Sequence, residues 1–312
     1  MRIVWSSDAD ASPIGPSAVT IGKFDGVHVG HRAVIDSLVD RAHSDALTSV
    51  IVTFDRNPLE VLAPDRCPPP LVGFEQELEL LGSTGADAAF VLVFDEAMSR
   101  LSAEEFVHRY LVDALRTRTV LVGRDFRFGH GGAGDVEVLR RLGARFGFTV
   151  DVIEDVAPEG ARVSSTGIRQ LLAEGKVAHA ARLLGRAPSV RGTVVHGAMR
   201  GRKLGFPTAN LASDAQGLIP ADGVYAGWLV DGLTRRRAAI SVGNNPTFDG
   251  VPQKQVEAYV IDAEPDLDLY DHVVDVVFAQ RLRGMVAFEG VPTLIAQMRD
   301  DVRRARELLE LG

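Results

Sequence analysis

The chain has 312 residues, 46% of them hydrophobic and 24% charged, so it is long enough for two hydrophobic cores and too apolar to be disordered. A formal net charge of -8 argues against a protein that neutralises nucleic-acid phosphates, and Cys67, the only cysteine, excludes an intrachain disulfide or a thiolate metal cluster. The opening MRIVWSSDADASP has no basic start ahead of an apolar core, and no apolar run reaches the roughly 18 residues of a membrane span, so a cytoplasmic protein with neither membrane nor nucleic-acid partners is expected.

Along the first half, apolar strands alternate with helices. SAVTI (17–21) precedes a helical pattern from His31 to about Ser44. TSVIVTF (48–54), helix-like FEQELELLGS and AAFVLVF (88–94) follow. SAEEFVHRYLVDAL opens with a capping box, Ser102 and Glu105; TVLVG (119–123), DVEVLRRLGARFG and TVDVIED complete the series. Continuous apolar strands separated by helices predict a parallel, doubly wound α/β sheet. After helical STGIRQLLAEG and KVAHAARLLG the pattern changes to short strands, RGTVVHG, GVYAGWLV, RRRAAISVG, QVEAYVID and HVVDVVFAQ, punctuated by glycine, proline and asparagine. A small antiparallel barrel is expected there, then a last helix from about Val291 to Leu311. The boundary is placed at Ala187–Pro188, giving domains 1–187 and 188–312.

In a doubly wound sheet, ligands sit beyond the carboxyl ends of the strands, where GKFDGVHVGH lies. Gly22, Gly26 and Gly30 let the backbone come close to a ligand, and the free amides of the next helix attract phosphate. His28 and His31, three residues apart at that helix start, project on one side and can donate hydrogen bonds to a phosphate gaining charge. A zinc pair is the rival reading, but neither a HExxH pattern nor a cysteine cluster accompanies it. SSTGIR (164–169) reads as a well-capped helix start whose Arg169 emerges one turn in. Asp125 and Arg127, in DFRFG, follow TVLVG toward the same crevice. Phe126 and Phe128 beside them suit either core or ligand.

The second half has no GxxxxGK[ST] loop. HGAMRGRKLGFPTANL instead supplies glycines (Gly197, Gly201, Gly205) and cations (Arg200, Arg202, Lys203) ahead of PTAN, which taken alone reads as a turn. Glu257, in QVEAYVID, reads alone as a solvated mid-strand carboxylate.

TIGKFDGVHVGH resembles the GxFDGxHxGH signature of the bacterial bifunctional riboflavin kinase and FMN adenylyltransferase (FAD synthetase) family. The resemblance continues through VGRDFRFG, VSSTGIRQLLAEG, AARLLGR, GRKLGFPTANL, GVYAGW, SVGNNPTF and VEAYVIDAEPDLDLY, in the family's order and spacing. It implies a Rossmann-like nucleotidyltransferase domain followed by a riboflavin kinase-like antiparallel β-barrel. The implied reactions are ATP-dependent phosphorylation of riboflavin to FMN, releasing ADP, and adenylyl transfer from ATP to FMN, giving FAD and pyrophosphate, with Mg²⁺ as cofactor. His28 and His31 would then hold the ATP phosphates and stabilise the departing pyrophosphate.

By the same resemblance, Gly22, Phe24, Asp25, Gly26, Asp125, Arg127, Ser164, Ser165, Thr166 and Arg169 would bind nucleotide or flavin in the first domain, with SSTGIR as a second phosphate clamp. Gly201, Lys203, Gly205, Pro207 and Asn244 would do so in the second. Thr208 and Asn210 would bind magnesium, Glu257 would be the kinase base, and DLDLY would close over substrate. Several residues depart from the family's pattern: Lys23 for the usual asparagine, DRNP (55–58) for a stretch richer in proline, GHGGAGD for a more basic loop, Ala263 for an aromatic, and Asp271 for glycine. A kinase with a weakened adenylyltransferase half, or a non-catalytic flavin or nucleotide sensor, is the alternative reading.

Overall fold

The computed structural model describes residues 1–7, 14–154, 163–197, 201, 204–243, 254–264 and 266–310. They form two compact units, 1–68 with 74–163, and 69–73 with 164–312.

The first unit is built on six strands: β1 (Arg2–Trp5), β2 (Ser17–Ile21), β3 (Thr48–Phe54), β4 (Ala88–Leu92), β5 (Thr117–Gly123) and β6 (Thr149–Ile153). All pair in parallel, in the order β1-β4-β3-β2-β5-β6. Helices α1 (Val29–Ser44), α2 (Pro58–Leu62), α3 (Phe74–Gly82), α4 (Glu96–Ser99), α5 (Ala103–Phe106) and α6 (Val136–Phe146) belong to it. Every residue of β2 and β4 is buried, as a parallel sheet covered on both faces requires. One face packs Val19, Val50, Phe90 and Val120 against Leu111 and Leu139, and the other packs Ala18, Ile51 and Leu121 against Ile35 and Leu38. From β2 the strand order runs one way through β3 and β4 and the other way through β5 and β6. The direction therefore reverses between β2 and β5, and the loops leaving those two strands flank the crevice.

The second unit holds α7 (Ser165–Ala173), α8 (Val177–Leu184) and a closed six-stranded barrel. Its strands are β7 (Ser189–Val195), β8 (Ala209–Leu211), β9 (Gly223–Asp231), β10 (Thr234–Gly243), β11 (Gln255–Val260) and β12 (Val273–Arg283), paired antiparallel in the order β10-β11-β8-β7-β12-β9. Alternating burial along β7, β11 and β12 turns every second side chain into the barrel, where Tyr225 and Phe278 meet edge to face at 5.4 Å. The final helix, Val291–Glu310, packs on β9 and β10. A bidentate pair fixes it: Arg283 on β12 reaches Asp301 at 3.0 and 2.7 Å, and Gln297 donates to the same carboxylate at 3.0 Å.

The doubly wound sheet, the barrel and the closing helix stand as the sequence predicts. Four local features differ. α1 begins at Val29 rather than His31, because His28 is its cap. The segment after Ser102 is not one regular helix, since α5 passes into a π-helical stretch at Val107–Ala114. PTAN is not a plain turn, because Ala209–Leu211 pairs with both β7 and β11 as β8. Strand β1 has no counterpart in the sequence reading. The compact units part at Val163–Ser164, so α7 and α8, the latter packed on β12, count with the barrel, whereas the sequence pattern changes at Ala187–Pro188.

Candidate active site

In the first unit the turn between β2 and α1 is tight. Gly22 extends the ladder, its N–H donating to the Val52 carbonyl at 3.0 Å, and the Val27 N–H then closes on the Phe24 carbonyl at 2.7 Å. Phe24 and Val27 hold φ of 39° and 40°, a region costly for a bulky or β-branched side chain, and both are buried. Gly26, at φ 78°, sits between them. The turn delivers His28 as the cap of α1, its Nδ1 accepting the His31 N–H at 3.2 Å. An accepting Nδ1 leaves the proton of the neutral ring on Nε2.

The His28 and His31 rings stack with centroids 3.6 Å apart and 14° between planes, and Phe24 meets His31 edge-on at 5.2 Å. A Cβ on Gly30 would come within 3.2 Å of the His28 ring, so a glycine between the histidines is what lets the rings close up. Burial, and then the proximity of His28, hold the His31 imidazole well below the usual histidine range. Its Nδ1 is shut off from solvent with no hydrogen-bond partner, although the side chain as a whole is partly exposed. Burial thus favours the neutral form of the His31 ring, and its Nδ1 is a buried polar atom left unsatisfied within the turn.

Beside this turn lies a cleft of about 540 Å³. Gly22, Lys23, Asp125 and Arg127 line it together with Phe54, Phe94, Phe106, Phe126 and Phe128. Phe126 and Phe128 stack at 5.4 Å, and Phe54 meets Phe94 edge to face at 5.8 Å. Phe128 is buried and Phe126 half-buried, so the pair serves both core and cleft. Arg127 lies 3.6 Å from Asp135, the cap of α6. The sequence reading missed Phe54, Phe94 and Phe106. Phe54 ends β3 and Phe94 ends the apolar run AAFVLVF, two residues past β4, at the carboxyl edge that faces the crevice, and that position is the available signal.

Glu77 on α3 was also missed. It is buried, accepts the Thr53 hydroxyl at 3.1 Å, and has its pKa pushed up to about 8 by burial, with the negative charge of nearby Asp25 adding to the rise. Asp25, in the β2–α1 turn, thus has a neutral carboxylic acid nearby.

In the second unit the Ser164 hydroxyl caps α7, accepting the Gly167 N–H at 3.2 Å. Ser165 and Thr166 form the first turn, and Arg169 donates through Nε to the Pro69 carbonyl at 2.8 Å.

The barrel brings three expected residues together. Asn210 on β8 stands opposite Glu257 on β11, and the Thr208 hydroxyl donates to Glu257 Oε2 at 3.3 Å. Asn210 Nδ2 donates to the Thr208 carbonyl at 3.0 Å and to its hydroxyl at 3.2 Å. With its nitrogen engaged there, Asn210 keeps Oδ1 as an acceptor, beside Gly197, where a Cβ would come within 2.5 Å. A hydroxyl, an amide oxygen and a carboxylate within one small volume form a hard-oxygen donor set, which fits Mg²⁺.

A pocket of about 390 Å³ is lined by Pro207, Thr208 and Asn210 together with Leu267, Asp268 and Tyr270 of DLDLY. Tyr270 lies against His196, ring centroids 3.8 Å apart, and Asp271 takes φ 63°, where glycine fits best and aspartate is among the better-tolerated alternatives. Gly201 accepts the Phe206 N–H at 2.8 Å, and Gly205 holds φ 86°. Lys203 and Asn244 lie outside the described residues.

The first unit thus sets a stacked histidine pair where a parallel sheet reverses its strand order, and the barrel of the second gathers Thr208, Asn210 and Glu257. Comparisons with known proteins narrow the class. The FAD synthetase family profile matches residues 11–167 and the riboflavin kinase profile matches residues 184–309. The bifunctional riboflavin kinase/FMN adenylyltransferase of Escherichia coli (strain K12) is 36% identical, over 94% of this chain and 93% of its own length. The protein of the same name from Pseudomonas fluorescens is 38% identical over 93% and 92%. The chain belongs to the bifunctional riboflavin kinase/FMN adenylyltransferase family. A crystal structure described as that of a macrolide-efflux protein from Streptococcus pneumoniae superposes with a TM-score of 0.86 at 31% identity, covering 98% of this chain and 99% of that one. No helix among the described residues is long and apolar enough to cross a membrane.

Proposed function

We propose that this chain phosphorylates riboflavin to FMN in its barrel and adenylylates FMN to FAD at the β2–α1 turn, with ATP as co-substrate in both steps. The observation that carries the second activity is the stacked histidine pair, His28 capping α1 and His31 in its first turn, at the point where the strand order reverses. An FMN phosphate oxygen attacks the α-phosphorus of ATP and pyrophosphate leaves. The nucleophile is already anionic, so alignment and charge stabilisation suffice. His28 donates from Nε2 and His31 from its ring to the phosphate oxygens, while Gly22, Phe24, Asp25 and Gly26 shape the cradle. Asp125 and Arg127 bound the flavin cleft. Ser164, Ser165, Thr166 and Arg169 supply a further set of phosphate donors.

Phosphorylation starts from a neutral alcohol and needs a base. Glu257 takes the proton of the ribityl 5′-hydroxyl as that oxygen attacks the γ-phosphorus and ADP departs. Thr208 and Asn210 would hold Mg²⁺, which when bound neutralises phosphate charge. Gly201, Lys203, Gly205, Pro207 and Asn244 complete the nucleotide site in this reading. The single cysteine, Cys67, suits a reducing cytoplasm.

Chromatography of flavins tests this. The protein with riboflavin, ATP and Mg²⁺ yields FAD, and so does a parallel reaction begun from FMN. Glu257→Ala abolishes FMN formation and spares adenylylation of supplied FMN, and His31→Ala does the reverse. FMN accumulating with no FAD in either reaction would leave a kinase alone. Equal loss of both reactions in either variant would refute two separate sites.

A further inference from the structure

The aromatic cleft carries two cations at its lining, Lys23 and Arg127, and one carboxylate, Asp125. Arg127 is 3.6 Å from Asp135, so its charge is partly answered. Lys23 is exposed, and among the described residues it makes no ion pair. Its ammonium donates to the Oδ1 of Asn57 at 3.4 Å, a neutral partner that leaves the charge uncompensated. Asn57 is itself immobilised as the cap of α2: its Oδ1 accepts the Leu59 N–H at 3.1 Å, and its own N–H donates to Glu60 at 3.3 Å in a capping box. The lysine is thus tethered at the cleft and one residue past Gly22, with two of its three donors uncommitted.

An apolar cleft lined by five phenylalanines grips a flat ring and cannot tell two ligands apart when they share that ring. Riboflavin and FMN differ by a phosphate monoester that carries roughly -1.5 to -2 charge at pH 7. A cation at the cleft can separate them by pairing with that phosphate. We propose that Lys23 is the residue by which this unit selects the phosphorylated flavin, its ammonium taking the FMN phosphate and presenting that phosphate to the β2–α1 turn. The inference rests on the adenylyl-transfer reading above. It gives a role to two departures from the family's pattern, Lys23 and the Asn57 of DRNP, which the structure joins by a hydrogen bond.

The test uses the full chain with the kinase base removed, Glu257→Ala, so that riboflavin remains a competitor and is not consumed. FAD formation from FMN is followed with riboflavin as inhibitor. Lys23→Met raises the KM for FMN about fivefold, the scale of one partly exposed charge-assisted contact, while kcat stays within about twofold and the riboflavin inhibition constant does not move. Lys23→Arg restores the KM. Added salt weakens FMN binding in the parent more than in Lys23→Met. An unchanged KM in Lys23→Met overturns the proposal, and so does a riboflavin inhibition constant that rises by the same factor, which would mean a damaged cleft. A parent that makes no FAD from FMN overturns the adenylyl-transfer reading itself, an outcome recognisable before any variant is measured.

Discussion

His28 and His31 occupy one small volume, and their protonation follows from it. His28 Nδ1 accepts a backbone N–H, a bond that protonation of that nitrogen would break, and His31 sits where burial and a neighbouring imidazole both disfavour a positive charge. His31 is suited to meet anionic phosphate as a neutral donor. The same arrangement has a cost in acid. In the unfolded chain His31 takes up a proton as pH falls through its ordinary value near 6.5, whereas the folded chain does so only at a lower pH. Across that window the unfolded state binds more protons, so stability falls as pH falls. His31→Gln removes the titrating group, and its thermal midpoint will drop less between pH 7.5 and 5.5 than that of the parent. Equal drops would show that His31 is not the acid-sensitive group.

Helix α3 shows the element-scale version of the same physics with the opposite sign. Glu77 titrates near pH 8 when folded and near its ordinary value of 4.5 when unfolded, so between those values the folded state holds a proton that the unfolded state has lost. Stability contributed by that proton declines as pH rises through the window, by about 1.4 kcal/mol per unit at most. Glu77→Gln keeps an acceptor for Thr53 and ends the titration. Its melting midpoint relative to the parent should rise by about 5 °C at pH 8 and by nothing near pH 4. A difference independent of pH, measured by calorimetry at the two values, would exclude a titrating Glu77. The sequence concealed this residue because a glutamate in FEQELELL reads as solvated surface, yet Phe74, Glu77 and Leu81 share one helical face, and that spacing was the clue. Motif residues were legible because their chemistry is local: the histidine pair follows from HxGH, and Thr208 sits two residues before Asn210. Register was not. Only β8 pairing with β11 sets Asn210 opposite Glu257, and a three-residue strand has too little pattern to announce itself. Strand β1, four residues long with its first two exposed at the sheet edge, is hidden for the same reason, while continuous apolar runs such as β3 and β5 declare the parallel core.

At the scale of the whole chain, sequence pattern and compactness draw the boundary in different places. The pattern changes from helical to strand-like near Ala187–Pro188, but α7 and α8 lie with the barrel, because Val177, Ala180 and Leu184 bury themselves where α8 packs on β12 and α7. Three buried apolar side chains are worth several kcal/mol together, more than a short barrel can lose without consequence. Two fragments separate the views. Residues 164–312 and 188–312 both contain the barrel, Thr208, Asn210 and Glu257, and both lack the 69–73 segment, so α7 and α8 make the difference between them. The longer fragment should melt cooperatively, about 10 °C or more above the shorter, and should phosphorylate riboflavin, while the shorter loses turnover along with its covered β12 face. Equal midpoints and equal turnover would mean that the two helices only lean on a barrel complete without them, and the functional boundary would return to Ala187–Pro188.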